Sequence, residues 1–334
     1  MTFPLLRLSE NAQQLVLRNM DMQAQIVFSF VSKRSKTLIK HLNIQAYEFE
    51  LHVSSLAFHL RFFIETRNPK YLCTTVNMKC IQGATLTAFN VPSVSFICKD
   101  YDWCRARYNM KDWLDHILFV LNYPKKIDRL SLSVNLEYMY NMMLKTLKGY
   151  EVIEGTIEPY FPTTGIINVL NTIPNIKSLY IDKKVFRNKE VLKQTFARNF
   201  DYLKIGKIPG RSTQLNLDHL LTANATNVSI ESCGPSAEDI RRFVKLWIQG
   251  SNRRLKYLAL SYKHMGIFFK EEILDGLKCR KWEGHEEKQF QTSFGTSKKA
   301  RFGYEVQRKK DRARASLHFK YASGKIFIDF FVWD

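Results

Sequence analysis

Cysteine is the residue type in this chain that first suggests chemistry, because thiolates bind metals and act as nucleophiles. Six cysteines are present. The pairs Cys73/Cys80 and Cys98/Cys104 leave six and five residues between their members, whereas paired zinc ligands usually leave about two to four. The spacing therefore predicts no metal site. We expect reduced thiols in the core of a cytoplasmic or nuclear protein.

The histidines and glycines also lack a catalytic pattern. His285 precedes two glutamates in a polar segment that we expect to be a loop, where nothing would hold a catalytic geometry. His116 lies in a stretch of helical periodicity and is predicted to pack or lie on the surface rather than act as a base. Gly210–Thr213 lacks the spacing and the lysine of a phosphate-binding loop. The sequence thus predicts a protein that is not an enzyme and has no cofactor.

Positive charge is the compositional outlier. The formal net charge is +20, from 51 basic against 31 acidic residues, and such a balance favours acidic partners. Much of it lies near the C-terminal end, and the candidate anion-binding residues there are Lys298, Lys299, Arg301, Arg308, Lys309, Lys310, Arg312 and Arg314. Phe302 and Tyr304 lie among these charges and could stack on bases. One hypothesis is therefore a nucleic-acid or anionic-surface binding protein; the alternative is a solvated basic loop with a strand.

Length and composition set broad limits. At 334 residues and 45% apolar, the chain can bury a core of one small module plus one larger domain. We find no apolar window of about 18 residues free of charge, and so expect no membrane-spanning segment. The start, Met1-Thr-Phe-Pro4, lacks the basic and apolar regions of a secretory signal.

Three short helices are predicted at the beginning of the chain. Ser9, Asp21 and Ser32 are typical helix-capping residues, and each is followed by apolar residues at helical spacing. In the first helix these are Ala12, Leu15, Val16 and Met20. Helices of about ten residues are marginal alone and need a partner. That partner is either another protein or, in the simpler alternative, the rest of the same chain.

This segment resembles the F-box of nematode proteins. The resemblance rests on the Pro4-Leu-Leu-Arg-Leu8 start, on Val16–Asp21 and on Ile26–Lys36, with Ser9 standing where a proline is usual. It implies binding to a Skp-type adaptor and through it to a cullin. The adaptor-binding residues that it implies are Pro4, Leu5, Leu8, Val16, Met20, Ile26 and Phe28.

A repeat follows a β-rich stretch. The pattern apolar-x-x-apolar-x-apolar begins at residues 127, 176, 200, 225 and 255, which are 49, 24, 25 and 30 positions apart. A degenerate unit near 150–153 would divide the first interval. Such spacing is typical of leucine-rich repeats, with helices between the strands, among them one that contains Trp113 and Ile117 and one that contains Phe243 and Trp247. Chance recurrence in another α/β protein is the alternative.

We therefore predict an α/β protein with three parts. These are a three-helix F-box (1–44), a β-rich connecting region (45–110), and an irregular leucine-rich-repeat-like array of strand-helix units with a C-terminal β cap (111–334).

The third part resembles the type 2 F-box-associated domain of nematode proteins, most strongly over Ile240–Leu258. In its final hairpin the usual Asp-Gly turn reads Asp311-Arg312. The resemblance implies the substrate-recognition subunit of a Skp-cullin-F-box ubiquitin ligase, which binds an unknown client protein through the repeat domain. The positive charge makes an acidic client a further hypothesis.

Overall fold

The computed structural model describes residues 5–54, 57–64, 72–80, 94–98, 101–104, 109–134, 137–159, 161–182, 189–206, 215–231, 235–263, 269–291 and 297–333. Side chains at 57–58, 64, 72–104, 137–139, 189, 263 and 282–301 are outside that description. The chain forms two compact units, Met1–Ile153 and Glu154–Asp334.

The first unit begins with helices and continues as a sheet. After a 3₁₀ turn (Leu5–Arg7), its elements are α1 (Glu10–Asn19), α2 (Met22–Ser29), α3 (Lys33–His41), β1 (Ala46–Ser54), β2 (Ala57–Ile64), β3 (Leu72–Cys80), β4 (Val94–Cys98), β5 (Tyr101–Cys104), α4 (Met110–Val120), β6 (Lys126–Ser133) and α5 (Glu137–Leu147). The strands follow the order β6-β1-β2-β3-β4-β5. All of these neighbours are antiparallel except β1 and β6, which are parallel.

Each of the three N-terminal helices begins after the predicted residue. Asp21 accepts a hydrogen bond from the Ala24 amide at 2.7 Å, and Ser32 forms a reciprocal capping box with Ser35. Ser9 has the extended backbone of an N-cap without a side-chain hydrogen bond. Serine in place of proline therefore still starts α1.

The second unit contains a run of parallel strands, the first of which begins three residues before the unit boundary. Its elements are β7 (Glu151–Ile157), α6 (Thr163–Thr172), β8 (Ser178–Asp182), α7 (Lys189–Phe196), β9 (Tyr202–Gly206), α8 (Leu217–Thr222), β10 (Asn227–Ile230), α9 (Ala237–Gln249), β11 (Tyr257–Lys263), α10 (Phe269–Leu274), β12 (Arg280–Gln291), β13 (Ser297–Gln307), β14 (Arg314–Ala322) and β15 (Lys325–Trp333). Strands β7 to β11 pair in parallel in chain order. The last four strands add in the antiparallel order β15-β14-β13-β12.

Alternation along these strands separates two faces. Leu203, Val228 and Leu258 share one register row and are buried. The other face carries Tyr202, Asn227 and Tyr257 in the adjacent row. Helix α9 supplies the core with Phe243 and Trp247, which both contact Phe330 edge to face. Its start is capped by Ser236 and Asp239, and it ends at Gly250 with φ of +118°.

All five repeat units predicted from sequence overlap strands, namely β6, β8, β9, β10 and β11, and β7 overlaps the predicted degenerate unit. The protein is a mixed α/β structure with helices at its beginning. One local prediction was wrong: His285 lies in strand β12, not in a loop. Polar residues there are compatible with a strand because β12 ends the strand order of the sheet, and edge strands carry charge.

The units divide the chain at a different place from the predicted boundary at 110/111. Strand β1 of the predicted connecting region pairs with β6 of the predicted repeat domain, Leu51 opposite Leu130. The three-part division stays a prediction. In the part of the chain that the structure describes, no helix has the length and apolarity needed to cross a bilayer. The same part holds no group of three or more His, Cys, Asp or Glu side chains arranged for a metal.

Candidate partner-binding surfaces

Most of the residues predicted to contact an adaptor contribute to the unit's own core. Ile26 is 0% exposed, so it cannot touch a partner, and its assignment to a contact surface was wrong. Its apolar side chain packs inward because α2 is covered by other helices. Leu5, Met20 and Phe28 pack partly against a buried cluster of Leu17, Ile39, Leu42 and Val120. Leu8 and Val16 are half-buried, and Pro4 lies outside the described residues.

Two other apolar side chains of this segment reach solvent. Leu15 is 65% exposed and Val31 is 55% exposed. Leu15, one of the four apolar residues predicted to share a face of α1, thus reaches solvent, whereas the buried positions of this helix are Gln13 and Leu17. The helical spacing of apolar residues does not predict that Gln13 is buried, because glutamine is usually exposed. Leu15 lies on α1 and Val31 in the turn between α2 and α3, and both are candidates for a contact with another protein.

Buried glutamines explain the orientation of α1. The Gln13 amide donates to the carbonyls of Leu6 and Leu8, at 3.3 and 2.8 Å. Gln25 in α2 donates to the carbonyls of Leu17 and Met20, at 2.8 and 3.0 Å. Burial of such amides is tolerated when they are hydrogen-bonded. These bonds hold the ends of α1, and no sequence motif marked them.

Helix α4 joins the N-terminal helices to the sheet of the first unit. Ser29 Oγ lies 2.8 Å from His116 Nε2. Phe30 stacks on the His116 ring with centroids 3.8 Å apart and contacts Trp113 at 4.3 Å. His116 is buried, which agrees with its predicted packing role. One face of the helical segment is thus attached to its own unit, as the simpler alternative expected, while Leu15 and Val31 are exposed.

The basic residues near the C-terminal end do not form one uniform surface. Arg308 is 2% exposed, and its guanidinium lies 4.4 Å from the Trp247 ring centre and 3.1 Å from Asp311 Oδ2. Its assignment as an anion-binding residue was therefore wrong, because its guanidinium is buried and contacts Trp247 and Asp311 of the same chain. The predicted cations that do reach solvent are Lys309, Lys310, Arg312 and Arg314. The side chains of Lys298, Lys299 and Arg301, in β13, lie outside the described residues.

The turn between β13 and β14 closes without a glycine. Arg312 takes a left-handed backbone with φ of +60°, and its amide donates to the Arg308 carbonyl at 3.0 Å. Asp311 Oδ1 accepts from the Ala313 amide at 3.1 Å. The turn therefore presents its lysines on a defined backbone.

One constellation in the second unit has the residue types of a nucleophilic triad. Ser316 Oγ lies 2.7 Å from His318 Nε2, His318 lies opposite Asp329 in register, and Tyr257 donates to Asp329 at 2.6 Å. Ser316 is fully buried, however, so no substrate can reach it. Burial lowers the pKa of His318, only partly offset by a hydrogen bond to the Phe302 backbone and by Asp329. The arrangement supports the sheet and offers no nucleophile.

Comparison with known proteins agrees with the resemblance seen in the sequence. The F-box domain model matches residues 5–46, and the F-box associated model matches residues 191–260. The chain is also similar to the F-box associated domain-containing protein sdz-33 of Caenorhabditis elegans, with 24% identity over 148 residues. That alignment covers 44% of this chain and 44% of the relative. No solved structure matches at a significant level.

Proposed function

Since the chain carries an F-box domain and an F-box associated region, we propose that it is the substrate-recognition subunit of a Skp-cullin-F-box ubiquitin ligase. The protein has no chemistry of its own in this role, and it acts in the cytoplasm or the nucleus. Its N-terminal helices bind a Skp-type adaptor, and the second unit binds a client protein.

The observation that carries the proposal is the exposure of Leu15, on α1, and of Val31, in the turn after α2, within the segment that matches an F-box. A large apolar side chain in water is unfavourable by about 1.5–3 kcal/mol relative to its buried state. Contact with an adaptor would remove both side chains from water. The half-buried Leu8 and Val16 would extend that contact.

We assign client binding to the strand-helix units of the second unit, as a leucine-rich-repeat-like array. Supporting this are the parallel strands β7 to β11, each followed by a helix in the chain. Stacked units of this kind present an extended surface to a protein partner.

The test is co-purification of the full chain with a Skp-type adaptor. The double variant L15E/V31E should fold like the wild type but lose the adaptor, because each charge would lie in an apolar contact. Tyr47→Glu is the matched control, since Tyr47 is an exposed aromatic outside the matched 5–46 segment. Equal adaptor recovery with wild type and L15E/V31E would refute the proposal, as would no recovery with wild type.

A second candidate is an anionic-surface or nucleic-acid binding protein. It is favoured by the exposed Lys309, Lys310, Arg312 and Arg314 on and beside one turn. Binding through phosphate contacts is steeply salt-dependent, so RNA retention on filters at low and physiological salt is the test. Absent or salt-insensitive retention would exclude this candidate.

A further inference from the structure

A pocket opens on the second unit where α10 lies against the C-terminal strands. Its volume is about 210 Å³, and the described residues that line it are Lys270, Lys281, Phe302, Gly303, Tyr304, Leu317 and Phe319. They come from α10 and from the strands β12, β13 and β14. This pocket is separate from the turn at Arg308–Arg314 that sequence had singled out.

The pocket has an apolar floor and an exposed aromatic rim. Leu317 and Phe319 are buried, and Phe319 contacts Tyr304 edge to face with ring centres 6.1 Å apart. Phe302, by contrast, is 62% exposed. Because Phe302 lines a pocket, its exposed ring is placed to pack against an apolar group of a partner.

Two lysines give the pocket a positive charge. The Lys270 ammonium lies 5.2 Å from the centre of the Tyr304 ring, and a side-chain hydrogen bond with Tyr304 raises the pKa of Lys270, so it is charged at neutral pH. Lys281 lies opposite Tyr304 in the β12–β13 register. None of the described lining residues is acidic. The pocket therefore offers positive charge above an apolar floor.

We propose that this pocket receives a carboxylate side chain of a client protein, with a neighbouring apolar side chain of the same segment packed on Phe302. A carboxylate pairs with the lysine ammoniums, and partial removal from water strengthens such charged hydrogen bonds. A nucleic acid is a poorer fit, because its phosphates need cations repeated along a backbone. Here two cations belong to one compact pocket. This inference rests on the proposed client-binding function and names the chemistry of the client.

Binding of two labelled peptides tests it. The probes are a fluorescein-labelled peptide of alternating glutamate and phenylalanine and its counterpart with glutamine for every glutamate, measured by fluorescence anisotropy with the full chain. The acidic peptide should bind at least about tenfold more tightly, since hydrogen bonds to charged groups contribute about 1.5–3 kcal/mol. The double variant K270A/K281A should remove that preference, and F302A should weaken both peptides.

A matched control lies on the same unit. Lys320 and Lys325 are on β14 and β15, and the alternation of those strands places them on the face opposite Leu317 and Phe319. The variant K320A/K325A changes the net charge equally and should leave peptide binding unchanged. Circular dichroism and thermal unfolding of each variant establish that it folds.

Each other outcome overturns the proposal. The proposal fails if the wild type binds the two peptides with equal affinity or binds neither. It also fails if K320A/K325A loses the preference for the acidic peptide as much as K270A/K281A does. Displacement of the acidic peptide by RNA at lower concentration than by unlabelled peptide would assign the pocket to nucleic acid. Adaptor co-purification is measured separately, so failure of the pocket and failure of the ligase function are distinguishable.

Discussion

Ser29 and His116 are 87 positions apart in the chain, and their Oγ and Nε2 atoms meet at 2.8 Å in a buried contact. The hydrogen bond connects α2, in the matched F-box segment, to α4, which precedes the first repeat strand. Val120 of α4 also completes the apolar cluster of Leu17, Ile39 and Leu42. The N-terminal helices are therefore part of the first unit's core, so the adaptor contact is tested with point variants that leave this core intact.

We predict that Ser29→Ala lowers the free energy of unfolding by about 1–3 kcal/mol, because a buried polar atom loses its partner. His116→Phe keeps a ring beside Phe30 and should cost a similar amount. The double variant should lose less unfolding free energy than the two single variants added together, as expected for residues that interact. Urea denaturation measures all three.

Thr37→Ala is the control for that cycle. Thr37 donates to the Lys33 carbonyl within α3 but is exposed, so its loss should change stability by no more than about 0.5 kcal/mol. A fully additive double variant would show that Ser29 and His116 do not interact in solution.

Arg308 is predicted to stabilise the fold rather than to bind a partner. Arg308→Ala should lower the free energy of unfolding by about 2 kcal/mol, since it removes a buried guanidinium and its side-chain stem from the Trp247 ring. The neighbouring Lys309→Ala, at an exposed position, should change it by less than about 0.5 kcal/mol. Similar melting curves for the two variants would contradict the assignment.

Arg312 carries backbone strain that glycine would relieve. A left-handed backbone destabilises a residue that has a Cβ by about 1–2 kcal/mol. Glycine removes this strain, but its larger entropy in the unfolded chain offsets part of the gain in stability. Arg312→Gly should therefore raise the thermal midpoint. Lys310→Gly, in the same turn but without positive φ, should lower it. If both variants shift the midpoint in the same direction, the strain argument fails.

The lowered pKa of His318 predicts that the stability of the protein depends on pH. Its pKa in the folded protein is lowered, mainly by burial, from the ordinary 6.5, so the unfolded chain binds more protons between the two values. The contribution of His318 to the free energy of unfolding is fully present above the pKa of the unfolded state. It is lost as the pH falls toward the pKa of the folded state. His318→Gln should reduce the difference in unfolding free energy between about pH 7.5 and about pH 5. An unchanged difference would exclude His318 as its source.

Several elements were predictable because their signals are local. The capping residues Asp21 and Ser32 determine where α2 and α3 begin, through bonds that span three positions. The spacing of apolar triplets located β8 to β11 for the same reason, since alternation reflects a strand's two faces. His285 was misplaced because a polar strand at the end of a sheet has no apolar alternation.

The candidate sites depended on contacts between distant residues. Nothing near Ile26 or Leu15 shows that one is buried and the other exposed. Neither Arg308 nor its neighbours indicate that Trp247 lies above its guanidinium. The lysine pocket joins Lys270, Lys281 and Phe302 from three elements, a combination that no sequence spacing predicts.

The amino-acid sequence alone determined the helical beginning, the repeated strands, the excess of basic residues and the resemblance to F-box proteins. Each of these depends on neighbours in the chain or on composition. Only the tertiary structure decided which of those side chains face solvent, because burial depends on segments such as α4 that pack from far away in the sequence. Hence the resemblance to a family could be recognised from the sequence, whereas the surfaces available to partners could not.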